Sequence, residues 1–488
     1  MPVPPIRIRA LNSKPTRSAG EFVLYWMTAF RRATSNFSLD RAVEHAVALK
    51  KPLVICEPVI LNYPSANLRL HTFILEGMAE NQRRFSKAPV LYLPFVETEP
   101  GQVSALFADL NDRACVTVTD DWPCFFVPKM HAGMAKRSPA LLEAVDSNGL
   151  YPMHDTDRVF TTAHSFRTHL QKQLAPHLRH LPREKPFAGL QLPQLTQLPG
   201  TLHKRWSGAP AELLAVEPAA MAALKIDHSV PPAKMRGGSH VAEKRLKLFV
   251  TEKLKDYATA RNEAEVDGTS ALSPYLHFGH LSTHQIFTAI VEQEKWSPDV
   301  LGKSIGGSKA GWWHLSDAAE SFIDELVTWR ELAFNMTSHR PDDYGSLSTL
   351  PAWAQQTHKA HANDPRKYLY TREQLEQGRT HDRLWNATQM QMVRDGWFHN
   401  YLRMLWGKKI LEWSKSPQDA FNTMESMMNR YSLDGRDPCS YSGYMWVLGR
   451  YDRAWGPERP IFGKVRYMSS DSTAKKMSVK NYIQKYHP

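Results

Sequence analysis

Residues 20 to 130 alternate two hydrophobic patterns, and this alternation restricts the possible folds more than any other feature of the chain. In segments 39–49 and 68–85 the apolar residues recur every three or four positions, as on one face of a helix. Between these segments lie short runs that are apolar at consecutive positions, which is typical of strands buried on both faces of a parallel sheet. We therefore predict an α/β domain over residues 20–165, with strands near 22–26, 53–56, 90–93 and 116–118.

The rest of the chain divides into three parts. Residues 1–19 have basic side chains but no apolar signal-peptide core, and we expect a short disordered tail. Residues 166–235 are rich in Pro, His and basic side chains with little periodicity, which predicts an interdomain linker. From 236 to 488 the pattern is helical, with good N-terminal caps at Ser282 and Thr371. We predict that this last part is a larger, all-helical domain.

The composition limits the function classes. Hydrophobic residues make up 42% and charged residues 23%, and no apolar stretch is long enough to cross a membrane. The four cysteines form no CxxC pair, so we predict no metal site and no disulfide framework. We expect an intracellular protein, cytoplasmic or, in a eukaryote, nuclear, and a monomer. The formal charge of +12 favours a polyanionic partner such as nucleic acid.

Neither of two common nucleotide-binding loop motifs is present in the chain. Gly302-Lys303-Ser304 resembles the end of a phosphate-binding loop, but Ser297 occupies the position of the required first glycine. No GxGxxG follows any predicted strand, so a dinucleotide would not bind in the Rossmann manner.

Three constellations in the helical half can carry chemistry, and each has a structural alternative. Thr269, Ser270 and Ser273 offer hydroxyls before a helix, which suits a phosphate or a simple helix cap. Glu325 and Trp329 share one helix face, where they can bind and stack on a base or form a core ion pair beside an aromatic.

The third constellation is a pair of tryptophans. Trp406 and Trp413 are two helical turns apart, about 10 Å along one face. They can conduct an electron to a buried acceptor or form a core stripe.

A buried Asp434 would need a partner, for which Arg403 is the obvious candidate.

Five consecutive motifs from about residue 267 to the end carry a family resemblance: LSPYLHFG, THDRLWNATQMQMV, LRMLWGKKILEW, RYSLDGRDP and ERPIFGKVRYM. In order and residues they resemble the class II cyclobutane pyrimidine dimer photolyases of the photolyase/cryptochrome family. The N-terminal half resembles the family's antenna-type domain only loosely. The resemblance implies the photolyase/cryptochrome fold, with a Rossmann-like, antenna-type α/β domain and an all-helical FAD-binding catalytic domain.

The resemblance also implies roles for individual residues. Contacts to FAD would come from Tyr257, Thr269, Ser270, Ala271, Leu272, Ser273, Asn400, Arg403, Met428, Asp434 and Gly435. The pocket for the flipped dimer would be formed by Glu325, Trp329, Met404 and Trp446. The electron-transfer positions fall on Trp385, Trp406 and Trp413. Basic residues proposed for the DNA backbone, each of which can equally be a solvated surface charge, are Arg436, Arg459, Lys464 and Arg466.

The implied function is repair of UV-damaged DNA by light. Excited FADH⁻ would pass an electron to the dimer, the cyclobutane ring would split, and the electron would return. A second antenna pigment is left open, because the N-terminal match is poor. The alternatives are a cryptochrome-like photosensor without repair activity and a nucleic-acid-binding protein without photochemistry.

The chain departs from the family at two positions. Met428 stands where the family usually has an asparagine that faces flavin N5, and a thioether is only a weak hydrogen-bond acceptor. Asn429 is one residue along, about 100° around a helix, and cannot simply replace it. Cys439 stands where the family usually has asparagine after Asp-Pro.

Overall fold

A computed structural model, which describes all 488 residues, has a six-stranded sheet at the centre of the N-terminal half. The strand order is β1-β6-β5-β2-β3-β4, and every pair is parallel except β1 with β6. The predicted parallel α/β fold is therefore confirmed. The strands are β1 Ile8–Ala10, β2 Phe22–Trp26, β3 Leu53–Val59, β4 Leu91–Val96, β5 Ala114–Asp120 and β6 Leu142–Val145.

Helices cover both faces of this sheet, as the periodicity predicted. Helix α2 spans Leu68–Phe85, and α1 begins two residues before the predicted segment. Asn36 and Asn67 cap the two helices by accepting hydrogen bonds from backbone N–H groups of the first turn. The helices of this half are α1 Phe37–Leu49, α2 Leu68–Phe85, α3 Gln102–Arg113 and α4 Val127–Arg137.

The expectation of a disordered tail over residues 1–19 is wrong for its central part. β1 pairs antiparallel with β6 and adds an edge to the sheet. The preceding Arg7 is fully buried, donates to the backbone oxygen of Leu150 at 2.7 Å and pairs with Asp146 at 3.5 Å. A strand of three residues is too short to show an alternating pattern, so it could not be predicted from hydrophobic spacing.

The connection between the two halves is irregular but ordered. Its helices are α5 Ala163–Gln173, α6 Leu202–Arg205, α7 Ala211–Leu214 and α8 Pro218–Ala222. Leu213, Leu214 and Met221 are buried in the largest hydrophobic cluster, which also contains side chains of α2 and of the helical half. The segment therefore packs across both halves.

The C-terminal half is helical, as predicted, and two π-helical turns interrupt its helices at Phe249–Lys253 and Asp324–Trp329. Its α-helices are α9 Ser239–Leu248, α10 Tyr257–Ala260, α11 Ser273–His277, α12 Thr283–Gln293, α13 Asp317–Ile323, α14 Arg330–His339, α15 Ala352–Ala360, α16 Arg372–Glu376, α17 Arg383–Asp395, α18 Asn400–Trp413, α19 Pro417–Tyr431, α20 Pro438–Val447, α21 Ser470–Ala474 and α22 Lys480–Lys485. None of the helices is long and apolar enough to cross a membrane.

A buried carboxyl joins the two halves. Glu331, in the first turn of α14, accepts hydrogen bonds from the backbone N–H groups of Leu150 and Tyr151 at 2.7 and 3.0 Å. The neighbouring Arg330 donates to the backbone oxygen of Asn148 at 2.6 Å. Burial raises the pKa of Glu331 to about 7, and these N–H groups offset the rise only in part.

This raised pKa predicts a pH-dependent stability. A carboxyl whose folded pKa lies above its unfolded value contributes stability that is complete at low pH and is lost as the pH rises through about 7. Glu331→Gln cannot ionise, so we expect the unfolding temperature of wild type to fall more steeply than that of the variant between about pH 5 and about pH 8. Calorimetry at several pH values measures the two slopes. Parallel slopes would show that Glu331 does not titrate in this range.

Candidate functional site

A cavity of about 750 Å³ lies inside the helical half. Its walls come from α10, α11, α18, α19 and α20, the π-helical turn at Asp324–Trp329, and the loop that follows α20. The volume falls in the range of sites that enclose a cofactor or other small molecule. Of the residues predicted to bind a cofactor or a flipped base, all line this cavity except Gly435.

One end of the cavity presents unpaired backbone donors. The N–H groups of Thr269, Ser270 and Ala271 donate to no other group of the chain. Ala271 has a φ of +48°, which turns the chain sharply before α11 begins at Ser273. Unpaired amides that precede a helix suit a phosphate group, and Tyr257 lies on the adjacent wall.

An ion pair lies in the wall of the cavity. Arg403 of α18 donates to Asp434 at 2.8 Å, as the sequence suggested. The same carboxylate accepts hydrogen bonds from the hydroxyls of Ser273 and Ser432, both at 2.6 Å. Burial alone would raise the pKa of Asp434, but Arg403 and the two hydroxyls bring it below its ordinary value. Asp434 is therefore ionised at neutral pH.

Gly435 does not line the cavity, and a packing constraint explains why a glycine stands there. A Cβ at this position would lie 2.5 Å from the backbone oxygen of Met428. The loop after α19 therefore folds back onto that helix at a distance that only glycine permits. Asn400, at the start of α18, lines the cavity as predicted.

Two sulfur-containing side chains line the cavity where the family usually has amides. Met428 is buried in the wall. The amide of Asn429 cannot replace it, because its Oδ1 accepts a hydrogen bond from the backbone N–H of Arg436 at 2.9 Å. Cys439 is open to the cavity, and burial within the protein raises the pKa of its thiol well above the ordinary value, so the thiol remains protonated.

Another part of the wall is built on the π-helical turn at Asp324–Trp329, a local irregularity that is common at functional sites. It places Glu325 and Trp329 on the cavity. Arg261 donates to Glu325 at 2.5 Å and lies over the ring of Tyr257. Burial raises the pKa of Glu325, and Arg261 offsets this only in part. Arg261 was not predicted from the sequence, because a contact across 64 residues leaves no periodic signal.

Trp329 and Trp446 stack on each other beside Glu325. Their ring centroids are 4.5 Å apart and their planes differ by 13°. A third aromatic ring does not fit between rings at this distance. Met404 lines the same part of the cavity and adds an apolar surface.

The three other predicted tryptophans form a connected row. Trp406 lines the cavity, and the indole N–H of Trp385 donates to its backbone oxygen at 3.0 Å. Trp385 contacts Trp413 with ring centroids 5.2 Å apart. Trp385 is therefore the middle member of the row. Trp413 is only 2% exposed, and Tyr370 and His381 contact it on the outer side.

The predicted DNA-contacting residues separate into three groups. Arg459 and Arg466 line the cavity, and Arg466 pairs with Asp452. Lys464 is about half exposed, lies outside the lining and pairs with Glu458 at 3.5 Å.

Arg436 does not lie on the DNA-facing surface. It is 4% exposed, and its guanidinium donates to the backbone oxygen of Asn429 at 2.5 Å. It lines a separate, small cavity between the two halves. The prediction that Arg436 contacts DNA is therefore wrong, because the loop turns this side chain inward.

That smaller cavity lies beside the point where the strand order of the sheet reverses, between β2 and β5, which is where open α/β sheets bind ligands. Its volume is only about 120 Å³, and side chains of Tyr63, Trp122, Phe125 and Phe126 fill the surroundings. Asp120 of β5 binds the backbone N–H groups of residues 28–30 at this point. This volume is below the range of about 300–1,000 Å³ that is usual for small-molecule sites.

The large cavity, by contrast, fits a phosphate-bearing cofactor with a polar ring. Besides the unpaired amides at one end, the buried hydroxyls of Ser442 and Tyr444 line it without a hydrogen-bond partner. Buried polar groups in proteins are rarely left unpaired, so these atoms indicate a ligand. No group of His, Cys, Asp or Glu side chains in the protein is arranged to hold a metal ion.

Known proteins resemble the chain over its full length. It is 32% identical over 485 residues to the deoxyribodipyrimidine photo-lyase of Methanothermobacter thermautotrophicus, covering 98% of this chain and 97% of the relative. It is 32% identical over 495 residues to the enzyme of that name from Oryza sativa, covering 98% and 89%. The structure of a class III photolyase from Agrobacterium tumefaciens superposes with a TM-score of 0.66 at 16% identity, covering 96% of this chain and 86% of that one. No family model matches.

The packing at Gly435 gives a prediction with an internal control. Gly435→Ala places a methyl group 2.5 Å from a backbone oxygen, and we expect a loss of about 1–3 kcal/mol in the free energy of unfolding. Gly443→Ala, inside α20, meets no atom within 4 Å and should stabilise the helix by about 0.5–1 kcal/mol. Chemical denaturation of both variants measures the difference. Equal stabilities would refute the packing role of Gly435.

Proposed function

Because this chain belongs to the deoxyribodipyrimidine photo-lyase family, its function is light-dependent repair of cyclobutane pyrimidine dimers in DNA, and we propose which of its residues hold the cofactor and the lesion. One observation carries the assignment. A single cavity is lined by unpaired backbone donors, a buried ion pair, two stacked indoles and a carboxyl.

FAD fits the end of the cavity that is rich in donors. The free amides of residues 269–271 would hold its phosphates, and Asn400, Arg403 and Met428 would contact its ring. The bound, reduced cofactor supplies the electron that light drives to the lesion. Arg403 keeps its charge at low cost because Asp434 pairs with it, so a positive group stays beside the ring.

The lesion fits the other end. Trp329, Trp446 and Met404 offer apolar surfaces on which an extruded pyrimidine dimer can stack. In its protonated form Glu325, which lines this part of the cavity, would donate a hydrogen bond to a pyrimidine carbonyl of the lesion. A donor at this position stabilises the negative charge that develops on the dimer.

The tryptophan row and a set of basic residues complete the assignment. Trp406, Trp385 and Trp413 form the route by which electrons reach the cavity from outside. Arg459 and Arg466 at the rim bind the phosphates that flank the lesion, and the exposed Lys464 adds charge nearby. We assign no step to an antenna pigment.

Glu325 provides the first test of this function. We expect blue light to restore dimer-containing DNA in the presence of reduced wild-type enzyme, and Glu325→Ala to lower the repair rate by roughly tenfold or more because the donor is lost. The absorption spectrum of bound FAD should be unchanged. Absence of repair by anaerobic, illuminated wild type would contradict the repair function and support a photosensor.

The tryptophan row provides the second test. Trp406→Phe should block photoreduction of oxidised FAD, because phenylalanine is much harder to oxidise, while repair by chemically reduced enzyme continues. Trp312→Phe is the control, since Trp312 packs in a different hydrophobic cluster. Steady illumination followed by absorption spectra measures both. Normal photoreduction in Trp406→Phe would remove this residue from the electron route.

A further inference from the structure

The C-terminal end of α20, which carries Trp446, has an unusual set of hydrogen bonds. The backbone oxygens of Met445 and Trp446 accept from the N–H groups of Arg450 and Gly449, as is common where a helix ends at a glycine with positive φ. The next two backbone oxygens, of Val447 and Leu448, have no such backbone partner. Buried side chains from two other helices bind them instead.

Lys408 of α18 provides the first of these side chains. Its Nζ donates to the backbone oxygen of Val447 at 2.5 Å, and it makes no ion pair. The residue is completely buried, and burial lowers the pKa of its amine to about 7, with Asp452 offsetting this only in part. Burying a lysine without a carboxylate partner is costly, so it needs a reason. The preceding Gly407 lets α18 touch α20, because a Cβ there would lie 2.5 Å from the Val447 side chain.

His358 of α15 provides the second side chain. Its Nε2 lies 2.8 Å from the backbone oxygen of Leu448, and both groups are buried. A carbonyl oxygen only accepts, so this nitrogen carries the proton. Two helices that are not neighbours of α20 in the sequence thus bind the two carbonyls that follow Trp446.

Trp329, on the other side of the stack, has a different support. It belongs to the π-helical turn at Asp324–Trp329, where the regular backbone ladder is interrupted. The two indoles are too close to admit a third ring. For a base to enter between them, one indole must therefore move.

We propose that Lys408 and His358 are positioning residues that fix the last turn of α20, so that Trp446 is the rigid wall of the lesion pocket and Trp329 is the wall that moves. This inference rests on the proposed function, since it takes the two indoles as the site of the dimer. Both residues act on binding of the lesion and leave the cofactor end of the cavity untouched.

Lys408→Met tests the proposal, because methionine keeps the unbranched shape and removes the donor. We expect the affinity for dimer-containing DNA to fall about tenfold, with unchanged affinity for undamaged DNA and unchanged FAD content. Lys409→Met is the matched control. It makes the same change one residue along α18, where the amine pairs with Glu412 and does not contact α20. Its ratio of affinities for damaged and undamaged DNA should equal that of wild type.

His358 offers a second, independent pair of variants. His358→Gln keeps an N–H donor and should retain wild-type discrimination, whereas His358→Leu removes it and should lose discrimination as Lys408→Met does. The near-ultraviolet circular dichroism signal of the stacked indoles should weaken in Lys408→Met and His358→Leu and persist in the two other variants. A purely structural role would lower the unfolding temperature without changing either the signal or the affinity ratio.

The outcomes separate the two claims. If wild type binds dimer-containing DNA no more tightly than undamaged DNA, the proposed function fails. If wild type discriminates and Lys408→Met and His358→Leu discriminate equally well with an intact indole signal, the proposed function stands and the positioning role is refuted. Should Lys408→Met fail to fold, the comparison of His358→Gln with His358→Leu decides the question.

Discussion

The buried carboxylate of Asp434 is the interaction on which the cavity of the helical half depends. This carboxylate accepts hydrogen bonds from Arg403 of α18 and from the Ser273 hydroxyl at the start of α11. The backbone oxygen of Asp434 accepts a third hydrogen bond, from the hydroxyl of Ser440 in the first turn of α20. Three helices thus meet at one residue of a loop. Because a buried carboxylate without partners is very unfavourable, these helices can pack only in an arrangement that keeps all its hydrogen bonds. That arrangement leaves the central volume open.

The α/β half has a comparable hub, but there the protein fills the space itself. Asp120, at the end of β5, binds three backbone N–H groups and the hydroxyl of Tyr25. A ligand at the reversal point of a parallel sheet would need these same donors. Aromatic side chains take the remaining volume. The fold class alone would therefore predict a ligand site in the α/β half. The unpaired polar groups that line the cavity indicate instead that the site lies in the helical half.

Helices and strands could be predicted from the sequence, because short-range hydrophobic spacing encodes them. The positions of side chains that distant residues hold could not be predicted in this way. The predicted bounds of β2 and α2 agree with the structure, because the spacing of their apolar residues reflects the local backbone period. Arg436 looked like a surface cation in a loop, yet a left-handed backbone at φ +61° and hydrogen bonds to Asn429 turn it inward. The Arg261 partner of Glu325 was invisible for the same reason. The resemblance placed most cavity residues correctly because it carries three-dimensional information that periodicity lacks.

The lesion pocket places opposite demands on its two walls, and the backbone meets each demand differently. Electron transfer requires a fixed distance between the cofactor end and the stacked indoles, which favours a wall held by regular helices and paired carbonyls, as on α20. Entry of a base requires the stack to open, which favours a wall where the backbone ladder is already irregular, as at Asp324–Trp329. Burying the amine of Lys408 lowers the stability of the fold. Proteins retain such unfavourable burial where the position of the backbone matters more for function than stability does. The asymmetry of the two walls therefore follows from the reaction that the pocket must serve.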